Sequence, residues 1–217
     1  GTGEKEVSLM RRSMVETFDL FELSVERVRQ GKELAARTGL AERAVFRDDD
    51  PFTAYEPESL DLVFWVGSLH HMFDVDAAVA WSKTVLKPGG VMYVEEFVGP
   101  DRFQWSDATL ALAGLVRQAL PDRCFLPLPD SDQPLSRQVA RPNAALLARD
   151  DPSESVQSSR ILPAIASTFP SAELIPLGGA IYSLALQDVL HHLNEDDESD
   201  AALLRELLLF DTFSVHL

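Results

Sequence analysis

The first hundred residues alternate between short apolar runs and stretches whose apolar positions recur at helical spacing. Val7, Met10 and Met14 share one face of a helix expected over about Lys5 to Ser13. Phe18 to Leu23 reads as a short strand. Ser24 is placed to cap a helix carrying Val25, Val28, Leu34 and Ala35, and Gly39 ends it. Ala44 to Arg47 is a second strand, running into an acidic turn that Pro51 removes from regular pairing. Leu60 to Val66 (LDLVFWV) is almost uninterruptedly apolar, as a strand covered on both faces would be. A helix over Asp76 to Leu86, a turn at Lys87 to Gly90 and a strand over Val91 to Val98 follow. Strand and helix in alternation predict βαβ units and an α/β fold with a mostly parallel sheet flanked by helices on both faces.

Beyond Gly99 and Pro100 the pattern changes. Asp107 to Leu120 carries a helical apolar stripe, whereas Pro121 to Pro142 contains five prolines and reads as a long irregular stretch. Ser155 to Phe169 is expected to be partly helical, with Pro163 in a first turn, and Ala172 to Pro176 to be a strand. Ala180 to Leu193 and about Asp200 to Phe213 have helical spacing. The expected division is a ligand-binding core over residues 1–104 and a largely helical extension over 105–217. Phe103 to Pro142, from the end of the core into the extension, is expected to lid an apolar pocket.

Composition narrows the partners. With 19 basic and 35 acidic residues the net charge is -16, so the chain offers no basic surface for nucleic acid. No run of about 18 apolar residues occurs, which argues against a membrane span, and nothing reads as a signal peptide. Cys124 is the sole cysteine, a buried apolar residue by expectation, which suits a reducing, cytoplasmic setting.

The candidate chemistry begins at Gly1-Thr2-Gly3, followed at a strand end by Glu22. Glycines let a ligand approach the backbone, and an acid at the end of the next strand can accept hydrogen bonds from ribose hydroxyls. A dinucleotide site wants a further glycine where this chain has Glu6, and a carboxylate there repels a diphosphate. S-adenosylmethionine has no phosphate and a positive sulfonium, so the pattern favours it over NAD. Asp48 or Asp49 can meet an adenine amino group, the competing reading being a charged turn. The LDLVFWV strand delivers Val66, Gly67 and Ser68 to the open end of the sheet, and then His70 and His71. His71 is a candidate general base, against a plain packing or capping role. Glu95 and Glu96 either shape an acceptor site or satisfy nearby backbone groups. No metal site is read at His191-His192, which lacks a partner at ligand spacing.

The order Gly-x-Gly, strand-end Glu, loop Asp, LDLVFWVGSLHH and VLKPGGVMYVEEFVGP resembles the class I S-adenosylmethionine-dependent methyltransferases, in particular those acting on small molecules. The resemblance covers about residues 1–105. It implies methyl transfer from S-adenosyl-L-methionine to a small-molecule acceptor. Gly1 and Gly3 would lie beneath the methionine part of the cofactor and Glu22 would hold the ribose. Leu23 would cover the adenine, Asp48 or Asp49 would meet its amino group, and Val66, Gly67 and Ser68 would line the methionine side, with His71 at the mouth. The family opens on a strand and an acidic residue that this chain is expected to lack, and closes on a strand hairpin not evident at Phe213 to Leu217. Two other readings stand beside it: a non-catalytic protein keeping the fold for binding or assembly, and a nicotinamide-dependent oxidoreductase.

Overall fold

The computed structural model describes residues 1–214. Its elements run α1 (Glu4–Arg11), β1 (Phe18–Phe21), α2 (Val25–Arg37), β2 (Ala44–Arg47), β3 (Leu60–Val66), α3 (Val75–Val85), β4 (Leu86–Glu95), α4 (Asp107–Ala119), α5 (Ala144–Asp150), α6 (Ile161–Thr168) and α7 (Glu198–Ser214), joined by turns and, around α5 and before α7, by longer irregular stretches. β1 pairs with β2 in parallel, Phe18 opposite Ala44 and Phe21 opposite Arg47. β3 pairs with β4 in a second two-stranded sheet. There Ser59 N–H meets Val85 O and Gly67 N–H meets Glu95 O, so both strands rise together and this pair is parallel too. The architecture is α/β and Rossmann-like in its order, with a largely helical C-terminal part. The chain folds as two compact units, Gly1–Asp61 with Thr84–Val91, and Leu62–Lys83 with Met92–Leu217.

In the first unit, β2 shows the expected alternation: Ala44 and Phe46 are buried while Val45 is exposed. Val7 and Met10 of α1 and Ala35 of α2 close over Phe46 and Ala44 to make the core. Ser24 caps α2 by accepting the Arg27 N–H. Gly31 sits mid-helix, where glycine ordinarily costs about 1 kcal/mol against alanine. Here the reason is space: a Cβ would lie 2.2 Å from Phe46 Cε1 and 3.0 Å from Thr2 O. Gly31→Ala is therefore expected to destabilise by about 1–3 kcal/mol, reversing the helix-propensity gain. Urea unfolding checks it; a more stable variant would mean that Phe46 swings aside without loss.

In the second unit, α4 packs its Ala113, Val116 and Leu120 face with Cys124, Phe125, Ile181, Ala185, Leu186 and Val189. Cys124 is fully buried, and that burial raises its thiol pKa. The proline-rich stretch after α4 is irregular, as expected, but it is tied down. Arg137 donates to the carbonyls of Arg117, Gln118 and Leu120 at the end of α4, and its guanidinium lies 4.0 Å from the Phe125 ring centre. Pro163 occupies the first turn of α6, where its missing N–H costs nothing.

Four expectations need correction. Lys87 to Gly90 is not a separate turn, because β4 starts at Leu86 and runs through it. Gly89 takes φ 82° there, and Gly90 sits where a Cβ would be 3.2 Å from Asp61 O. β4 also ends at Glu95, short of Val98. Ala172 to Pro176 is not a strand: none of the described strands pairs with it, and Leu174 and Ile175 stay exposed. Ala180 to Leu193 is not one α-helix but a π-helical turn (Ile181–Leu186) and a 3-10 turn (Val189–His192). The start of this segment is tied to α7, whose buried Asp211 accepts the N–H groups of Ile181 and Tyr182, while Ser214 Oγ accepts that of Ala180. Gly178 and Gly179 permit the approach, since a Cβ on either would fall 2.5 Å from an Asp211 or Ser214 side-chain oxygen. The reading of a chain end lacking a last strand falls partly on residues 215–217, outside the described residues.

Candidate functional site

In the first unit the loop before α1 places Gly3 at φ 77°, as the residue capping the helix. A Cβ there would also meet Phe46 Cζ at 2.9 Å and Leu20 Cδ2 at 3.1 Å, so both conformation and space call for glycine. Gly1 is exposed, and its ammonium donates to Glu22. Glu22 follows β1 directly, with a side chain 12% exposed, and its Oε1 accepts the Ser24 N–H at 2.7 Å. Burial pushes its pKa up, but hydrogen bonds from the N-terminal ammonium and Ser24 outweigh this and hold it below the usual range. Leu23 beside it is 91% exposed, an apolar side chain presented to solvent. Glu4 and Glu6 occupy the first turn of α1, so this helix start carries negative charge.

The two candidate aspartates part company. Asp49 is gripped by Arg47, Nε to Oδ1 at 2.9 Å and Nη2 to Oδ2 at 2.5 Å, which lowers its pKa. Arg47 reaches Asp19 as well, whose Oδ2 accepts the Tyr55 hydroxyl at 2.6 Å. Phe21 stands edge-on to Tyr55 and beneath the Arg47 guanidinium. Asp50 accepts the Phe52 N–H and caps the turn that follows. Asp48 is exposed and forms no ion pair among the described residues, which leaves its carboxylate available.

The second unit holds the rest. Val66 ends β3, and Gly67 turns the chain at φ 56° while its N–H bonds Glu95 O. Nothing lies within 4 Å of a Cβ on Gly67, so its conformation rather than crowding explains the residue. Ser68 and Leu69 both give their N–H groups to one carboxylate oxygen of Glu96, at 2.5 Å each. The other Glu96 oxygen meets His70 Nδ1 at 2.5 Å. The Glu96 carboxylate is wholly buried, so of the two roles foreseen for it the structure gives the satisfying of backbone groups. Burial pulls the His70 pKa down, but Glu96 beside it outweighs this and the net direction is up.

His71 points its Nδ1 at Ser153 Oγ, 3.0 Å away, and Ser153 in turn donates to Asp151 Oδ1 at 2.7 Å. The two imidazoles lie 4.2 Å apart, and Glu154 faces both: Oε1 is 3.5 Å from His70 Nε2 and Oε2 is 4.0 Å from His71 Nε2. Sequence reading missed Ser153, Glu154 and Arg102, the residue that holds their loop. Arg102 donates from its guanidinium to the carbonyls of Asp151, Pro152 and Glu154, and from its backbone to Ser155 O. Arg102, Phe103 and Ser155 take φ of 54°, 53° and 48°, a cluster of strained backbone around this loop. The only hint in the sequence was the acidic run near Asp150, which has no period to place it. After β4, Phe97 packs against Phe103 and Trp105, with ring centres 4.9 and 5.2 Å apart.

Residues 1–94 match the family described as a methyltransferase domain. Among solved structures, the chain is similar to the (4+2)-cyclase SpnF at 27% identity and a TM-score of 0.39, covering 42% of this chain and 34% of that one. It is also similar to a geranyl diphosphate methyltransferase in complex with GPP and sinefungin, at 14% identity and a TM-score of 0.49, covering 77% of this chain and 49% of that one. The chain thus spans well under the full length of either. Among the described residues no helix is long and apolar enough to cross a membrane. The glycine loop, the acid after β1 and the β3–β4 pair up to Val94 fall inside the matched stretch, so residues 1–94 are the part of the chain that is similar to a methyltransferase domain.

Proposed function

We propose that this protein binds S-adenosyl-L-methionine and transfers its methyl group to a small-molecule acceptor by direct displacement. The observation that carries the reading is the pairing of Gly3, at φ 77° with no room for a side chain, with a Glu22 carboxylate anchored by Ser24. A ribose diol needs such a fixed acceptor, and Gly3 lets the loop before α1 pack close against Phe46 and Leu20. The acidic first turn of α1 suits a phosphate-free, cationic ligand and opposes a diphosphate. Leu23, already facing solvent, would cover the adenine, and Asp48 is the better of the two aspartates for its amino group, because Asp49 is held by Arg47. Val66, Gly67 and Ser68 are assigned to the methionine end on the family resemblance.

Displacement at a carbon activated by sulfonium asks the protein mainly for alignment and exclusion of water. A hydroxyl acceptor also needs a base. His71 fits that role, its Nδ1 occupied by Ser153 and its side chain 32% exposed. The acceptor is proposed to be small and apolar, with Phe97, Phe103 and Trp105 as part of its cover. Calorimetric titration with S-adenosylmethionine, its demethylated product and NAD tests the reading. Saturable binding of the first two, weakened at least tenfold by Glu22→Ala, is the expected result. Binding of NAD alone would replace methyl transfer with hydride transfer, and binding of none would overturn cofactor use by this chain.

A further inference from the structure

The imidazoles of His70 and His71 and the carboxylate of Glu154 converge. One ligand atom from each lies within 4.8 Å of the other two. Three features separate this group from an ordinary surface cluster. First, each histidine has its Nδ1 engaged, by the buried Glu96 in one case and by Ser153 backed by Asp151 in the other. That arrangement leaves Nε2 as the free lone pair in the neutral ring, and it is the carboxylate support that metal-ligating histidines usually have. Second, the third partner is held from outside the cluster: Arg102 donates to three carbonyls, of Asp151, Pro152 and Glu154, in the loop that carries Glu154. Third, the spacing suits a small ion. A tetrahedral zinc with bonds of about 2.0–2.1 Å needs ligand atoms on the order of 3.3 Å apart. The Nε2 to carboxylate distances are 3.5 and 4.0 Å, so small side-chain movements close the site.

We propose that His70, His71 and Glu154 bind a divalent transition-metal ion, through both Nε2 atoms and one carboxylate. Two imidazoles and one carboxylate are the donors zinc accepts and hard cations such as magnesium do not seek. Three protein ligands leave a fourth position open to water or to a substrate oxygen. The metal takes the His71 lone pair, so this role and that of a metal-free base exclude each other.

The test is zinc titration of the full chain, freed of metal by chelator dialysis, followed by calorimetry. One equivalent at micromolar affinity or better is expected. Glu154→Gln should weaken it at least tenfold, and His191→Gln should leave it unchanged. Cobalt(II) added to the unaltered protein gives a reading that needs no variant to fold: intense visible bands mark a low-coordinate nitrogen and oxygen site. Absence of stoichiometric zinc binding overturns the proposal. So does zinc binding that is indifferent to Glu154→Gln and His71→Gln in variants with unchanged circular dichroism. The cofactor titration is independent, so a chain that takes S-adenosylmethionine and no zinc refutes this site while keeping the methyltransferase reading.

Discussion

Glu96→Ala is expected to lower stability by about 2–5 kcal/mol, because it strips two amides and an imidazole of their shared acceptor. Ser68 and Leu69 present their N–H groups to a carboxylate that has no solvent exposure. Water does not readily replace it, and each buried donor left unmet costs about 1–3 kcal/mol. His70 loses the partner that fixes its ring as well. Glu96→Gln keeps one carbonyl oxygen and nearly the same volume, so it should lose distinctly less. Urea unfolding of both variants gives the comparison, and amide exchange at Ser68 and Leu69 locates the damage. Equal losses in the two would show that the charge of the carboxylate, and neither its volume nor a neutral acceptor, is what Glu96 supplies.

Arg117→Leu is the second large effect, about 3 kcal/mol in the same assay. Arg117 is 3% exposed, yet it reaches Asp188 at 2.6 and 3.2 Å, Ala185 O at 3.1 Å and the Ser136 carbonyl, with Phe125 under its guanidinium. It serves a carbonyl that the π-helical turn leaves without an ordinary helical partner and pins the proline-rich stretch to α4. A leucine fills some of the volume but strands those acceptors. Arg117→Lys should recover only part of the loss, since one ammonium cannot span acceptors that a planar fork reaches together. Full recovery by lysine would reduce the role of Arg117 to its charge.

The elements of the first hundred residues were legible because their signals are local. Alternation in Ala44–Arg47, the apolar run of Leu60–Val66 and the Ser24 cap each act within a few residues. Apolar spacing likewise placed α4 and α7. The failures share a different cause. Ala180 to Leu193 has helical spacing, but its start is tied to Asp211 and Ser214, about 30 residues further on, and spacing does not register such contacts. Ala172 to Pro176 has a strand's composition, and composition does not say whether a neighbouring strand exists to pair with it. At the candidate site the glycines, Glu22 and the histidine pair could be picked out as residue types in order. That Asp49 belongs to Arg47, two residues away, turns on how the loop bends, and that Glu154 faces the histidines depends on side chains brought together by tertiary structure, which no spacing encodes.

The histidine cluster also has a history within folding. Glu96 lies 26 residues from His70, whereas the contact of His71 with Ser153 closes a loop of 82. The entropy of closure grows with loop length, if slowly, and the longer loop also needs Arg102 to find the carbonyls about 50 residues beyond it. A chain emerging from synthesis can assemble the His70–Glu96 half long before the residues carrying Ser153 and Glu154 exist. The complete constellation is therefore a late event, and local opening of residues 151–155 would dismantle it while leaving β3 and β4 intact.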